Sequence, residues 1–281
     1  MNGRVEVAWS VRRANFPPII EFDYPLDTVV ISLTGKQCAL DCAHCGGHYL
    51  KGMQPIWNVD AGNSRSCLVS GGCDQEGKVP VTAHLDKVAA VREGRTMNWH
   101  VGLINRAEIE AIRPYVDVIS FDFVGDAATI REVYGLDKTV EDYVDTYRML
   151  TEYVPVVPHL TIGLRGGDIS GEYAALQALS QLQASHLVLL VFIPTAGTRY
   201  ADRQPPEIGA VVDVLAEARI RLPKTPLYLG CMRPHGDYRA ELDVLAVRCG
   251  VNKIVSPARE AVNLAEELGM EIVRGRECCA I

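Results

Sequence analysis

At 281 residues, with 48% hydrophobic and 22% charged side chains, the chain is long enough for one large domain and ordinary in composition for a protein that buries a full core. Its formal net charge of −7, with no basic stripe, excludes nucleic acid as the main partner, because phosphate binding needs clustered Lys and Arg. No apolar run approaches the ~20 residues that span a bilayer, and the opening MNGRVEVAWSVRRANF carries charges and no apolar h-region, so no membrane partner and a cytoplasmic location are expected.

Taken in chain order, residues 1–26, with Pro17 and Pro18, read as an N-terminal extension packing across the rest. Eight short, β-branched apolar runs then alternate with helical patterns. The runs are 27–34, 65–70, 97–103, 116–122, 156–163, 186–193, 226–230 and 251–256. Helices are expected near 82–94, after 103, near 127–133 and 139–152, from Gly171, and near 207–221, 237–249 and 258–268. Such alternation predicts parallel strands in an α/β fold. Eight units over residues 27–281 fit a (β/α)8 TIM-type barrel with its site at the C-terminal strand ends, an open doubly wound sheet being the alternative. Residues 270–281 form a short tail ending in ECCAI.

Nine cysteines without an export signal read as metal or redox chemistry rather than disulfides. Cys38, Cys42 and Cys45, in GKQCALDCAHCGGHYL, follow the first barrel strand at C-x3-C-x2-C spacing. Three thiols suit an iron–sulfur cluster with one iron left open. A zinc knuckle borrowing His44 or His48 is the other reading, although no second paired arm stands nearby. Ser70-Gly71-Gly72 ends the second strand, where residues lacking a Cβ let backbone approach a ligand. Cys73 and Cys231 follow strand ends and would face the barrel mouth, and Cys278-Cys279 could fold back over it. Cys67 and Cys249 read as buried apolar thiols, His100 as a core histidine, and Asp126 as a helix cap. Asp122, at the end of the fourth strand, is balanced between capping and a site role. GLRGGD lacks the acidic partner of a dinucleotide fingerprint.

The cysteine loop after strand one resembles that of the radical S-adenosylmethionine (SAM) superfamily. The resemblance implies that Cys38, Cys42 and Cys45 hold a [4Fe–4S] cluster whose fourth ligand is the amino and carboxylate group of SAM, cleaved on reduction to a 5′-deoxyadenosyl radical. It places His44 against the adenine and Ser70, Gly71 and Gly72 at the SAM amino group. TIGLRGGDISGEY, with Gly163, resembles the segment lining the adenine. VFIPTAGTRYA, with Ile193 and Pro194, resembles the sixth-strand segment of the biotin synthase branch. Asp122 joins this cofactor-binding set.

The wider pattern, SGGCDQEGKVP, SFDFVGDAATIREVYGLD, LGCMRP and the terminal CC, is similar to the two-protein lipoyl synthases. That resemblance implies sulfur insertion into the octanoyl-lysine of a lipoyl carrier protein or domain. A second iron–sulfur cluster on Cys73, Cys231, Cys278 and Cys279, shaped by Arg233, would donate the sulfur. A second lipoyl synthase subunit and an electron donor such as ferredoxin or flavodoxin are the implied partners, and no side chain is assigned a catalytic role beyond the cofactors. Other readings are another radical SAM enzyme (a methylase, a mutase or a biotin synthase-like enzyme on a small molecule) and a non-catalytic iron–sulfur sensor or scaffold.

Overall fold

The computed structural model describes residues 3–281. In chain order the elements are α1 (Gly3–Asn15), β1 (Ile19–Asp23), β2 (Thr28–Ser32), β3 (Gln54–Pro55), β4 (Ser66–Ser70), α2 (Leu85–Arg92), β5 (Thr96–His100) and α3 (Arg106–Ile112). There follow β6 (Val118–Asp122), α4 (Ala127–Thr129) and a π-helical turn at Ile130–Tyr134, then α5 (Val140–Thr151), β7 (Val156–Ile162), α6 (Glu172–Gln181) and β8 (Leu187–Val191). The chain continues through α7 (Ile208–Arg221), β9 (Leu227–Leu229), α8 (Asp237–Arg248), β10 (Lys253–Val255), α9 (Arg259–Glu267) and β11 (Glu271–Gly275). The α/β class and the β/α alternation expected from the sequence are those observed. Each of the eight anticipated strands is present, and β1, β3 and β11 are added to them.

Two compact units divide the chain. The first comprises residues 3–25, 159–194 and 203–279, and the second residues 26–158, 195–202 and 280–281, the boundary falling inside β7 after Pro158. Strand order in the first unit is β11-β1-β10-β9-β8-β7, with β1 seated between β10 and β11 and parallel to both. The N-terminal residues expected to lie across the fold therefore contribute a strand of the sheet. In the second unit the order is β6-β5-β4-β2-β3, again parallel.

Local chemistry explains these elements. All five residues of β8, LVLLV, are buried, as a parallel strand covered on both faces requires. Helices α3 and α5 begin with capping boxes, Asn105 with Glu108 and Thr139 with Asp142, which satisfy orphan N–H groups at the helix start. In the first unit α1 packs on α7 and α8, and Arg219 lays its guanidinium over Phe16, 4.7 Å from the ring centre. In the second unit Phe121 and Phe123 meet Tyr143 and Tyr147 of α5 in tilted and edge contacts. Cys67 and Cys249 are fully buried in the core, as the sequence suggested. Among the described residues no helix is long and apolar enough to cross a membrane.

Candidate functional site

The second unit carries the cysteine loop between β2 and β3. Its turns are set by backbone bonds from Cys45 N and Gly46 N to Cys42 O, at 3.0 and 2.9 Å, and from His48 N to Cys45 O at 2.7 Å. Gly46 and Gly47 take the left-handed conformation there, which glycine adopts without a Cβ penalty. Because β2 and β4 are hydrogen-bonded neighbours, the loops that follow them meet. Ala39 N donates to Cys73 O at 2.8 Å. Thr34 Oγ1 accepts from Gly72 N at 2.7 Å and donates to Gln37 O at 2.8 Å. A Cβ on Gly72 would lie 1.9 Å from Gln37 O and 2.5 Å from Cys38 Cα, so only glycine permits this approach.

The other side of the loop is clamped by two segments. Ala43 N donates to Val133 O at 2.7 Å, and Tyr200 N donates to Ala43 O at 3.0 Å. Arg199 donates to the Asp41 and Glu132 carbonyls at 2.9 and 3.2 Å. Tyr200 in turn donates its hydroxyl to Glu132 Oε1 at 2.6 Å. The π-helical turn that supplies Glu132 and Val133 is rare in proteins and recurs at functional sites.

Burial and neighbouring acidic groups set the protonation of this loop. Burial pushes the Cys42 thiol up to about 12, and the neighbouring Cys45, Cys38 and Asp122 add to the rise. Burial, then Cys38, Cys42 and Asp122, also raise the Cys73 thiol. His44 is held neutral, its pKa pushed down to about 4 by burial against the opposing pull of Asp122. Its Nδ1 is buried without a hydrogen-bond partner, and its ring meets Tyr134 edge-on at 5.7 Å. His100 Nε2 stands 3.5 Å from Asp122 Oδ1, and Ser70 donates to the His100 carbonyl at 3.0 Å.

The structure thus brings His44, Asp122, Ser70, Gly71, Gly72, Cys38, Cys42, Cys45 and Cys73 into one unit. Cys73, grouped with Cys231 in the sequence reading, interacts with Cys38 and Cys42. Sequence reasoning missed Thr34, Tyr134 and the pairing of His100 with Asp122. The position of His100 at a strand end, like that of Cys73, was the available signal.

The first unit holds the other candidates. Gly163, at φ +71°, has no room for a Cβ beside the Pro206 ring. Its N–H donates to Glu172 Oε1 at 2.7 Å, so local packing accounts for this glycine. Ile193 and Pro194 follow β8 and are half-buried. Cys231 follows β9, with Arg239 donating to its carbonyl at 3.3 Å. The tail after β11 returns to the same unit, where the Cys279 thiol lies 3.4 Å from Nε2 of His159. The Cys279 thiol is raised by burial and then by the charges of Cys278 and Cys231, against an opposing pull from Lys253. Arg233 is fully buried and spends all five N–H donors within the protein, on both oxygens of Asp243 and on the Gly230, Val255 and Ser256 carbonyls. It fixes the Cys231 loop and has no donor left for a ligand.

Two sets of thiols result. Cys38, Cys42 and Cys45 share one short loop, with a glycine cradle against it and an orphaned imidazole nitrogen beside it. This donor set fits an iron–sulfur cluster, whose ligands attach to separate irons. Among the described residues no three His, Cys, Asp or Glu side chains converge as a single-ion site requires.

No protein-family profile matches the chain, and no curated protein matches it. Solved structures do. The fold is similar to that of methylornithine synthase (PylB), with a TM-score of 0.67 and 14% identity over 97% of this chain and 89% of that one. It is similar to the FeFe-hydrogenase maturase HydG from Carboxydothermus hydrogenoformans, with a TM-score of 0.67 and 14% identity over 96% and 71%. Streptococcus suis SuiB bound to S-adenosylmethionine gives a TM-score of 0.50 and 13% identity, over 83% of this chain and 58% of SuiB. The shared property at these identities is the fold.

Proposed function

We propose that this chain is a radical SAM enzyme and, more narrowly, a sulfur-inserting component of a two-protein lipoyl synthase acting on octanoyl-lysine of a carrier protein. The superfamily reading is carried by the interlock of Gly72 with Cys38, which ties a three-thiol loop to a glycine turn at the ends of adjacent parallel strands. The fold shared with methylornithine synthase, HydG and SuiB supports it. The narrower reading is supported by the grouping of Cys231, Cys278 and Cys279 in one unit, a second set of thiols that a single-cluster enzyme does not need.

Cys38, Cys42 and Cys45 would hold the cluster, which together with SAM would supply hydrogen-atom abstraction from an unactivated carbon. The chain's own residues do the positioning. Thr34 and Gly72 lock the loop, Arg199 and Tyr200 clamp its far side, and neutral His44 offers an unpaired nitrogen to a polar ligand. Asp122 holds a negative charge at the strand end, close enough to act on His44 and on two of the thiols, where it would attract the cationic or hydroxyl groups of a nucleoside ligand.

The test is anaerobic incubation with SAM, a strong reductant, an octanoyl-lysine carrier and a candidate partner protein, read by mass spectrometry. Formation of 5′-deoxyadenosine with sulfur added to the carrier supports both levels. 5′-Deoxyadenosine without sulfur addition under any partner condition leaves a radical SAM enzyme of another kind, a reading that the likeness to methylornithine synthase favours. No 5′-deoxyadenosine at all removes the superfamily reading.

A further inference from the structure

We propose that His159 and Cys279 share one iron of a [2Fe–2S] cluster whose other iron is held by Cys231 and Cys278. This ligand set rests on the reading of a second cluster given above, replaces Cys73 with a histidine, and lies entirely within the first unit.

His159 occupies the middle of β7, and every residue from Val156 to Leu160 around it is buried. Its Nε2 lies 3.4 Å from the Cys279 sulfur. Two donors on one tetrahedral metal, at bond lengths of about 2.0 and 2.3 Å, are separated by about 3.5 Å. The observed spacing matches an imidazole and a thiolate sharing one metal atom. Mixed nitrogen and sulfur ligation of a two-iron cluster is established chemistry.

Each arm of the site is fixed independently. Cys231 is held through its own carbonyl by Arg239, and the next residue but one is the fully bonded Arg233. The tail is delivered by β11, which pairs with β1 from Ile19↔Glu271 to Asp23↔Gly275. Gly275 is obligatory at the exit, since a Cβ there would lie 1.8 Å from Asp23 Oδ1. Beyond it the chain turns toward β7 and places Cys279 against His159. Lys253, buried and ion-paired with Asp23 at 2.9 Å, puts a positive charge within electrostatic reach of Cys279, which offsets the negative charge of a thiolate-held cluster.

The experiment uses the full chain with Cys38, Cys42 and Cys45 all changed to alanine, so that the loop cluster cannot form. The protein is labelled with 15N-histidine and reconstituted anaerobically with iron and sulfide. The expected result is about two irons per chain, with a directly bound 15N detected by pulsed EPR of the reduced cluster. The nitrogen signal should vanish in His159→Cys, which retains a cluster. The labelled chain alone decides the matter if His159→Cys does not fold. Two irons without bound nitrogen, or about four irons, overturns the ligand set while leaving a second cluster. No iron in a folded chain overturns the second cluster as well. 5′-Deoxyadenosine formation by the unmodified chain reports separately on the superfamily reading.

Discussion

Replacing Gly72 with alanine tests the interlock directly. The added methyl would sit 1.9 Å from Gln37 O and 2.5 Å from Cys38 Cα. Carbon–oxygen contacts are ordinarily no closer than about 3.3 Å, so the cysteine loop must retreat by about 1.4 Å. Gly52→Ala is the control, because nothing lies within 4 Å of its Cβ position and its backbone is not left-handed. Overpacking of this kind costs about 1–3 kcal/mol, which a protein of this size survives. Misplacement of a reacting group by about 1 Å, however, lowers a rate by about 10²-fold. Gly72→Ala should therefore fold, as judged by urea unfolding, yet lose most 5′-deoxyadenosine formation and bind iron weakly after reconstitution, while Gly52→Ala stays close to the parent. A Gly72→Ala protein that binds iron and cleaves SAM at the parent rate would refute the interlock.

Three further outcomes follow from the buried and clamped groups. Asp243→Ala leaves Arg233 charged and unpaired where both side chains are wholly inaccessible, and should lower unfolding free energy by about 3–5 kcal/mol; a loss below about 1 kcal/mol in urea would show that the pair is not needed. Burial chiefly raises the Asp23 carboxyl to about 6, so the folded chain holds that proton more tightly than the unfolded chain. Stability from this group is complete below the ordinary carboxylate pKa and is lost as pH rises through about 6, by up to about 2–3 kcal/mol. Asp23→Asn should flatten that part of the pH dependence, and identical slopes for both proteins between pH 4 and 7 would count against the assignment. Arg199→Met removes three donors to the loop-flanking carbonyls and should speed iron loss to a chelator by about tenfold, equivalent to about 1.4 kcal/mol, without changing the urea midpoint.

The eight β/α units were legible because buried parallel strands read as continuous apolar runs such as HLVLLVFI. β1 and β11 were not. β11 is an edge strand, exposed along most of EIVRG, and its polar pattern resembles a tail. The two-residue β3 has no pattern at all. The placement of Cys38, Cys42 and Cys45 in the loop directly after β2 was legible from their spacing behind an apolar run. The meeting of the Cys73 turn with the cysteine loop was not legible, because strand adjacency decides which loops meet, and β2 with β4 are the neighbours. His159 was invisible for a different reason. A histidine within an apolar strand looks like core until the returning tail places a thiol against it.

The insertion of β1 between β10 and β11 sets a timetable for synthesis. Asp23 pairs with Val255 and with Gly275, contacts spanning about 230 and 250 residues. Such long-range pairing is slow because loop closure must precede the reward. β1 therefore waits, without these partners, until β10 and β11 have been translated. β11 in turn has only β1 to pair with in this unit. The pairing of β11 with β1 is the step that carries Cys278 and Cys279 to their place. A chain interrupted before β11 would then keep Cys231 but lack Cys278 and Cys279, even with the cysteine loop of the other unit fully formed.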